Sequence, residues 1–350
     1  MNRPAGSPGR RWTEPVSRAK SLRWLALPLG AALLAAGCGG GQAASLQPGD
    51  ATAPAASTPA AAATTPAAAS GPVAPLTGLP ASAAVAARPA VAVRVPLEGG
   101  VGLNDADLVY QEYERSTLLK VLAIFQSKDA PEIGPVGGVR PADPALLPSL
   151  RPLYANIGGA SGTEGLLEKA AISQVTSSAA ASAYRSGTAG LMTSTAGVLA
   201  AAPAGAKPPP PVLPLAGTGE AFTTSHVGKA RTITITPPGA PAETWTYSAA
   251  GHSWLRSGTP GVAVANLILQ NVDYKQVLLR DPDRFAQSAR VLGRGICTAV
   301  SGGTVTPCSW YKRSATSVTG YVDAAGVPLR FAPGPTWVVL LPPGSKLATG

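Results

Sequence analysis

The sequence predicts an α+β protein, in which a mixed α/β piece is followed by a mostly β piece and both stand behind a long disordered tether. Three observations predict it. Short apolar or alternating runs bounded by Gly and Pro recur from residue 89 to residue 341, the pattern of strands. Helical patterning is confined to short stretches of the first piece. From Gly39 to about Ala74 the chain is dominated by Ala, Thr, Pro, Ser and Gly, which bury too little apolar surface to offset the entropy of ordering.

In chain order, residues 1–37 read as a lipoprotein signal peptide. Arg3, Arg10, Arg11, Arg18, Lys20 and Arg23 face a single acid, Glu14, and precede the apolar run Trp24–Ala36. That run is too short for a bilayer span, which needs about 20 residues. It ends in Ala36-Gly37-Cys38, small residues at a cleavage point and a thiol to carry acyl chains. Ala35 stands where lipoprotein signals usually carry Leu, and the alternative is an ordinary secretory signal with a chance cysteine. Lipid on Cys38, palmitate included, would hold the protein at the outer face of the bacterial cytoplasmic membrane. Residues 38–74 then form an Ala/Thr/Pro tether, semi-extended through its prolines.

The mixed α/β piece is expected over residues 75–200. Pro89–Val95 is a short apolar strand; Asp107–Glu114 and Leu118–Gln126 are two strands of a hairpin closed by Arg115-Ser116-Thr117. Leu153–Ile157 is a strand ending in Gly158-Gly159, and Thr163–Ala170 is a helix capped by Ser161 or Thr163. A Pro-rich linker, residues 201–219, contains Pro208-Pro209-Pro210-Pro211, which fits neither a helix nor a central strand. The mostly β piece, residues 220–345, has strands at Arg231–Thr236, Glu243–Ser248, Val262–Val272, Arg290–Val300, Val305–Lys312 and Trp337–Leu341. The two pieces are of ordinary domain size, and segments this short can still share one core.

Composition excludes several functions. Removing residues 1–37 takes six of 28 basic and one of 18 acidic residues, leaving 22 and 17, a net charge of +5. No basic cluster survives that would read as nucleic-acid binding. No zinc spacing, nucleophile elbow or nucleotide fingerprint is present, so no metal and no cofactor is expected. The two histidines, His226 and His252, lie in Ser/Gly-rich surroundings outside any hydrolase motif.

Cys297 and Cys308 are the two cysteines left once Cys38 is lipidated, and an extracytoplasmic compartment is oxidising. Ser301-Gly302-Gly303-Thr304 reads as a two-residue hairpin turn. In that register facing residue numbers sum to 605, as 297 and 308 do. The pair is therefore expected to face across the ladder and form a disulfide. Pro307 cannot donate to a ladder, so its strand should lie at an edge or turn that position outward.

Several motifs in order resemble the YerB-like lipoproteins. They are Pro75–Pro80, Arg88–Val93, Gly102–Glu112, Leu122–Ser127, Ile133–Val136 with Arg140-Pro141, and the tail Phe331–Pro342. The resemblance covers most of residues 75–342 and implies a two-domain, lipid-anchored extracytoplasmic protein of unsettled activity. It also marks departures. Gly137 stands where the family usually has Arg after Gly-Pro-Val, and Ala189-Gly190 precede Leu191-Met192-Thr193-Ser194 where relatives carry a His-Asn pair. If those groups form a site in relatives, this chain has lost part of it.

The remaining polar candidates are few. Arg140, after the glycine-rich turn at Gly134, Gly137 and Gly138, can hold a carboxylate or phosphate, or pair with Asp143 or Glu132 to fix its loop. Asn156, Gly158 and Gly159 end a strand where a ligand can approach closely, and Asp107 reads as a local cap. Glu112 and Glu114 share a strand face, read here as solvated and paired with Arg115 and Lys120. The expected function is a non-catalytic binding or interaction module of the cell envelope, with Arg140, Asn156, Gly158, Gly159 and Glu112 as its site. Its partners are then the membrane through Cys38 and a wall polymer or an envelope protein. The alternative is an enzyme acting on wall polymer through Glu112 or Glu114, which requires a partly buried carboxylate in Arg140's cleft.

Overall fold

A computed structural model describes residues 71–115, 118–159, 163–216, 228–258, 262–278 and 285–350. The signal, Cys38, nearly all of the tether, Ser161, His226 and the side chain of Glu114 lie outside the described residues.

Strands dominate, and the helices are turns of four to six residues. The first piece contributes α1 (Ala83–Ala87), β1 (Val91–Pro96), β2 (Leu108–Arg115), β3 (Leu118–Phe125), α2 (Asp143–Leu146), β4 (Leu153–Asn156), α3 (Glu164–Lys169) and β5 (Ser173–Thr176). The hairpin β6 (Tyr184–Gly187) and β7 (Gly190–Thr193) and the helix α4 (Thr195–Ala200) complete it. The second piece contributes β8 (Gly228–Lys229), β9 (Thr232–Thr236), β10 (Glu243–Ser248), β11 (Ser253–Arg256), β12 (Ala263–Val264) and β13 (Asn266–Asn271). Then follow β14 (Tyr274–Leu278), β15 (Phe285–Ala289), β16 (Gly293–Ser301), β17 (Thr304–Lys312), β18 (Gly320–Val322), β19 (Thr336–Leu341) and β20 (Lys346–Thr349).

One eleven-stranded sheet takes strands from both pieces, in the order β18-β17-β16-β13-β19-β2-β3-β1-β4-β5, with β8 on a further part of β17. The seam is parallel: Trp337 of β19 faces Val109 of β2. Strands β1, β2 and β3 pair antiparallel as the hairpin pattern requires, whereas β4 and β5 join parallel to β1. The strands of this sheet's centre read as nearly continuous apolar runs because both faces are covered. A second, five-stranded sheet, β12-β11-β10-β9-β20, covers one face. Its Trp245 meets Trp337 edge-on, with centroids 5.5 Å apart.

Two expectations change. Residues 262–272 form two strands in different sheets, because at Ala265 the backbone N–H leaves the ladder to donate to Pro335 O at 2.9 Å. The Pro-rich segment is also more than a spacer. After its four prolines, Val212, Leu213 and Ala216 are buried, and Ala216 N–H donates to Phe331 O at 2.8 Å. The reason is the apolar run Val212-Leu213-Pro214-Leu215-Ala216, which gains from docking wherever a strand edge is open.

The hairpin β16–β17 has the expected register, Cys297 facing Cys308 and Ser301 facing Thr304. Gly302 and Gly303 both have positive φ, 55° and 76°, as a type I′ turn demands. The cysteines form a disulfide with Cα atoms 4.8 Å apart. Pro307 is exposed and sits where β17 has no outer neighbour: β8 pairs with residues 304 and 305, β18 with 309 to 311. The closed loop is short, so replacing both cysteines by Ala is expected to cost about 2–3 kcal/mol. Urea denaturation of the oxidised parent against the double variant reads this directly; equal midpoints would show that the hairpin holds without its crosslink.

Candidate functional site

Adjacent residues of β2 enter two different buried polar clusters, since alternation turns Glu112 to one face of the large sheet and Gln111 to the other. On the first face Arg94 of β1 pairs with Glu112 and with Asp143, the latter at 2.9 Å from Nε and 2.5 Å from Nη2. Tyr154 of β4 donates to Asp143 Oδ2 at 2.6 Å, and the backbone N–H of Arg140 donates to the same oxygen at 2.8 Å. Two carboxylates thus share one guanidinium out of water. Burial raises the pKa of Glu112, and the Arg94 charge opposes that rise. Tyr154 is likewise pushed well above its ordinary value, first by burial and then by Asp143.

This geometry corrects the reading of Glu112. Its side chain is not on a solvated face; it is 5 % exposed and ion-paired with Arg94. The structure does bring Glu112 and Arg140 into one neighbourhood, through Asp143 and Arg94. Asp143 spends its carboxylate on Arg94, Tyr154 and the Arg140 backbone, while Glu132 pairs with Arg185 at 2.9 Å.

Asn156, Gly158 and Gly159 have architectural work. Asn156 is fully buried, and its Oδ1 accepts from Gly158 N–H at 2.9 Å, fixing the turn after β4. Gly158 O in turn accepts from Val139 N–H at 2.9 Å. A Cβ on Gly138 would collide with the backbone oxygen of Gly158, so a glycine there lets the two loops touch, and a Cβ on Gly159 would crowd Thr163 Oγ1. Asp107 is the local cap expected, accepting from Gln126 N–H and Ser127 N–H, each at 2.6 Å.

The two departures from the YerB-like pattern adjoin. Val136 N–H donates to Leu191 O at 2.7 Å, so Gly137 and Ala189-Gly190 flank one hydrogen-bonded seam. Ser194, at the end of the same stretch, caps α4 by accepting from Gly197 N–H at 3.1 Å.

The second cluster was not legible in the sequence. Glu243 Oε1 accepts from Trp245 Nε1 at 2.6 Å, and its Oε2 accepts from Gln111 Nε2 at 2.8 Å and Arg256 Nη2 at 3.2 Å. Gln111 Oε1 accepts from Trp337 Nε1 at 2.8 Å. This cluster joins the two sheets, and part of it is open. A cavity of about 450 Å³ is walled by Pro96, Tyr113, Leu119 and Pro241, with Glu243 and Arg256 at its polar side and Glu98 at its rim. Glu98 is 67 % exposed and lies 3.4 Å from Arg256 Nη1. Burial raises the Tyr113 pKa, and the Glu243 charge adds to the shift.

A third buried cation, Lys312, donates to Ser149 Oγ at 3.2 Å and to Ser317 O, and burial lowers its pKa to about 8. It ties β17 to the loop after α2. No group of His, Cys, Asp and Glu among the described residues is placed to hold a metal.

Comparison with known proteins agrees with this architecture. The family model for the N-terminal domain of a protein of unknown function, DUF3048, matches residues 76–204, and that for its C-terminal domain matches residues 233–338. The crystal structure of YerB from Bacillus subtilis superposes with a TM-score of 0.66 at 21 % identity, covering 79 % of this chain and 99 % of YerB. No curated protein matches the chain. Two models in chain order, spanning most of the folded part, and a shared fold place the chain in the two-domain DUF3048 family, to which it belongs together with YerB-like proteins.

Proposed function

We propose that the protein is a lipid-anchored, extracytoplasmic binding module of the cell envelope whose ligand seat is the cavity between the two sheets. The observation that carries the binding reading is the contrast between the two clusters. Glu112 and Asp143 are spent on Arg94 inside a packed layer, whereas Glu243 and Arg256 line a space large enough for a small ligand. Apolar walls with a few convergent polar groups are the usual make-up of a ligand site. Catalysis through Glu112 finds no support, since its carboxylate is held in the Arg94 pair. The disulfide supports an oxidising compartment, and the signal-like residues 1–37 with Cys38 supply the route there.

Two measurements test the two halves of this reading. Cys38→Ala should leave the membrane fraction or remain unprocessed; a variant that fractionates and migrates like the parent removes the anchor. For the seat, a thermal-shift screen of wall fragments and small anions should yield a ligand that stabilises the parent. At 100 times its Kd such a ligand adds about 2.7 kcal/mol. Leu119→Trp fills the cavity and should abolish that gain; equal stabilisation of the variant would place the ligand elsewhere.

A further inference from the structure

The large sheet is not covered everywhere. On the face where the five-stranded sheet covers Val300, the far end of the hairpin β16–β17 is bare. Alternation puts Arg294 and Ile296 of β16 and Ser309 and Tyr311 of β17 there, with Arg294 facing Tyr311 and Ile296 facing Ser309. All four are exposed, and the opposite face of the same hairpin carries the buried Cys297, Cys308 and Trp310. The exposure is therefore a property of this face, not of a frayed end.

Two grooves, of about 600 and 690 Å³, meet at Gly293 and Arg294 on this end of the sheet. Their walls hold four basic residues, Arg290, Arg294, Lys312 and Arg313, against one acid, Asp273. Lys312 points inward to Ser149, so three guanidiniums remain for solvent. Arg290 meets Asp273 only at 3.8 Å, Arg313 lies over the Tyr311 ring at 5.9 Å, and Arg294 makes no ion pair among the described residues. Between these charges stand Leu292, 46 % exposed, and Ile296, 68 % exposed.

Guanidiniums alone would suit any anion. Branched aliphatic side chains among them suit a narrower class, a surface that is anionic outside and hydrocarbon just beneath. Arginine stems lie along apolar surface with their heads at phosphates, and an aromatic ring such as Tyr311 settles at the same depth. We infer that the bare end of the β16–β17 hairpin, Leu292, Arg294, Ile296, Tyr311 and Arg313, docks on an anionic lipid bilayer. The inference adds to the envelope reading an orientation of the folded body on the membrane. It does not need the lipid on Cys38, so the two can fail separately.

The test uses the chain from residue 38 onward with Cys38→Ser, so that neither signal nor lipid carries it to vesicles. All described strands lie within that chain. It should sediment with vesicles of phosphatidylglycerol and phosphatidylcholine in equal parts, weakly at raised salt, and not with phosphatidylcholine alone. Each basic side chain near an anionic surface is worth roughly a fivefold change in partitioning, so losing two of them and gaining two acids in R294E/R313E should weaken binding by at least roughly 30-fold. The charge-matched control K169E/K207E, on one exposed residue of the first piece and one of the Pro-rich segment, should bind like the parent. Ile296→Ser should weaken binding with no change in melting temperature. Equal binding to neutral and anionic vesicles, or parent-like binding by R294E/R313E, would overturn the inference. So would retention on a soluble anionic glycopolymer with none on vesicles.

Discussion

Arg94→Met should cost about 3–5 kcal/mol of stability at neutral pH, the loss expected when one member of a buried ionic cluster is removed. Glu112 and Asp143 would remain in a layer packed with Tyr110, Leu122 and Tyr154, without the cation that both share. The loss should depend on pH in a definite direction. Burial raises the Glu112 pKa above 4.5, so the folded chain holds that proton more readily than the unfolded chain does. Stability linked to Glu112 is then present in acid and is lost as pH rises through the folded value. Arg94 is the main influence opposing the rise. Without it the deficit should be widest at pH 7 and should narrow at a second, more acid pH, as Glu112 takes up its proton. Urea denaturation at the two pH values measures both points. A deficit that grows in acid, or a loss below about 1 kcal/mol, would mean that the cluster relaxes into water instead of enduring an unpaired charge.

Glu243→Ala should cost a similar amount, about 3–5 kcal/mol, by the reverse charge logic. Here the stranded group is the Arg256 guanidinium, and Gln111 and Trp245 lose their acceptor at the same time. The rim carboxylate makes the internal control. Glu98 also approaches Arg256, but it is mostly in water, and Glu98→Ala should cost less than about 1 kcal/mol. A pair of melts therefore separates the buried partner of Arg256 from the exposed one. If both variants melt alike, Glu243 is not what holds the two sheets together.

Much of the fold was legible because its signals are local. The β2–β3 hairpin declares itself by alternation, and the register of β16–β17 follows from a Gly-Gly turn between two cysteines. The break at Ala265 could not be read, since a run of apolar residues looks the same whether it serves one sheet or two. The docking of residues 212–216 was hidden for a related reason: four prolines suggest a spacer, and only the free edge beside Phe331 makes the apolar residues after them useful. The candidate site was the least legible part. Arg94 and Glu243 each sit in strands that read as ordinary, and their importance comes from partners distant in sequence, Asp143 for one and Gln111 for the other. Glu112 was placed wrongly, because alternation gives the face of a strand but not which face has water.

The parallel seam between β2 and β19 has a consequence for how the chain is made. Val109 finds its neighbour Trp337 only once residue 337 has been made, so the first piece emerges with one strand edge unpaired. Such a long-range closure makes folding slow and late, since most of the chain must be present before the central layer can form. A polypeptide of that kind stays open while it is being made and becomes rigid only when β19 has slotted in beside β2.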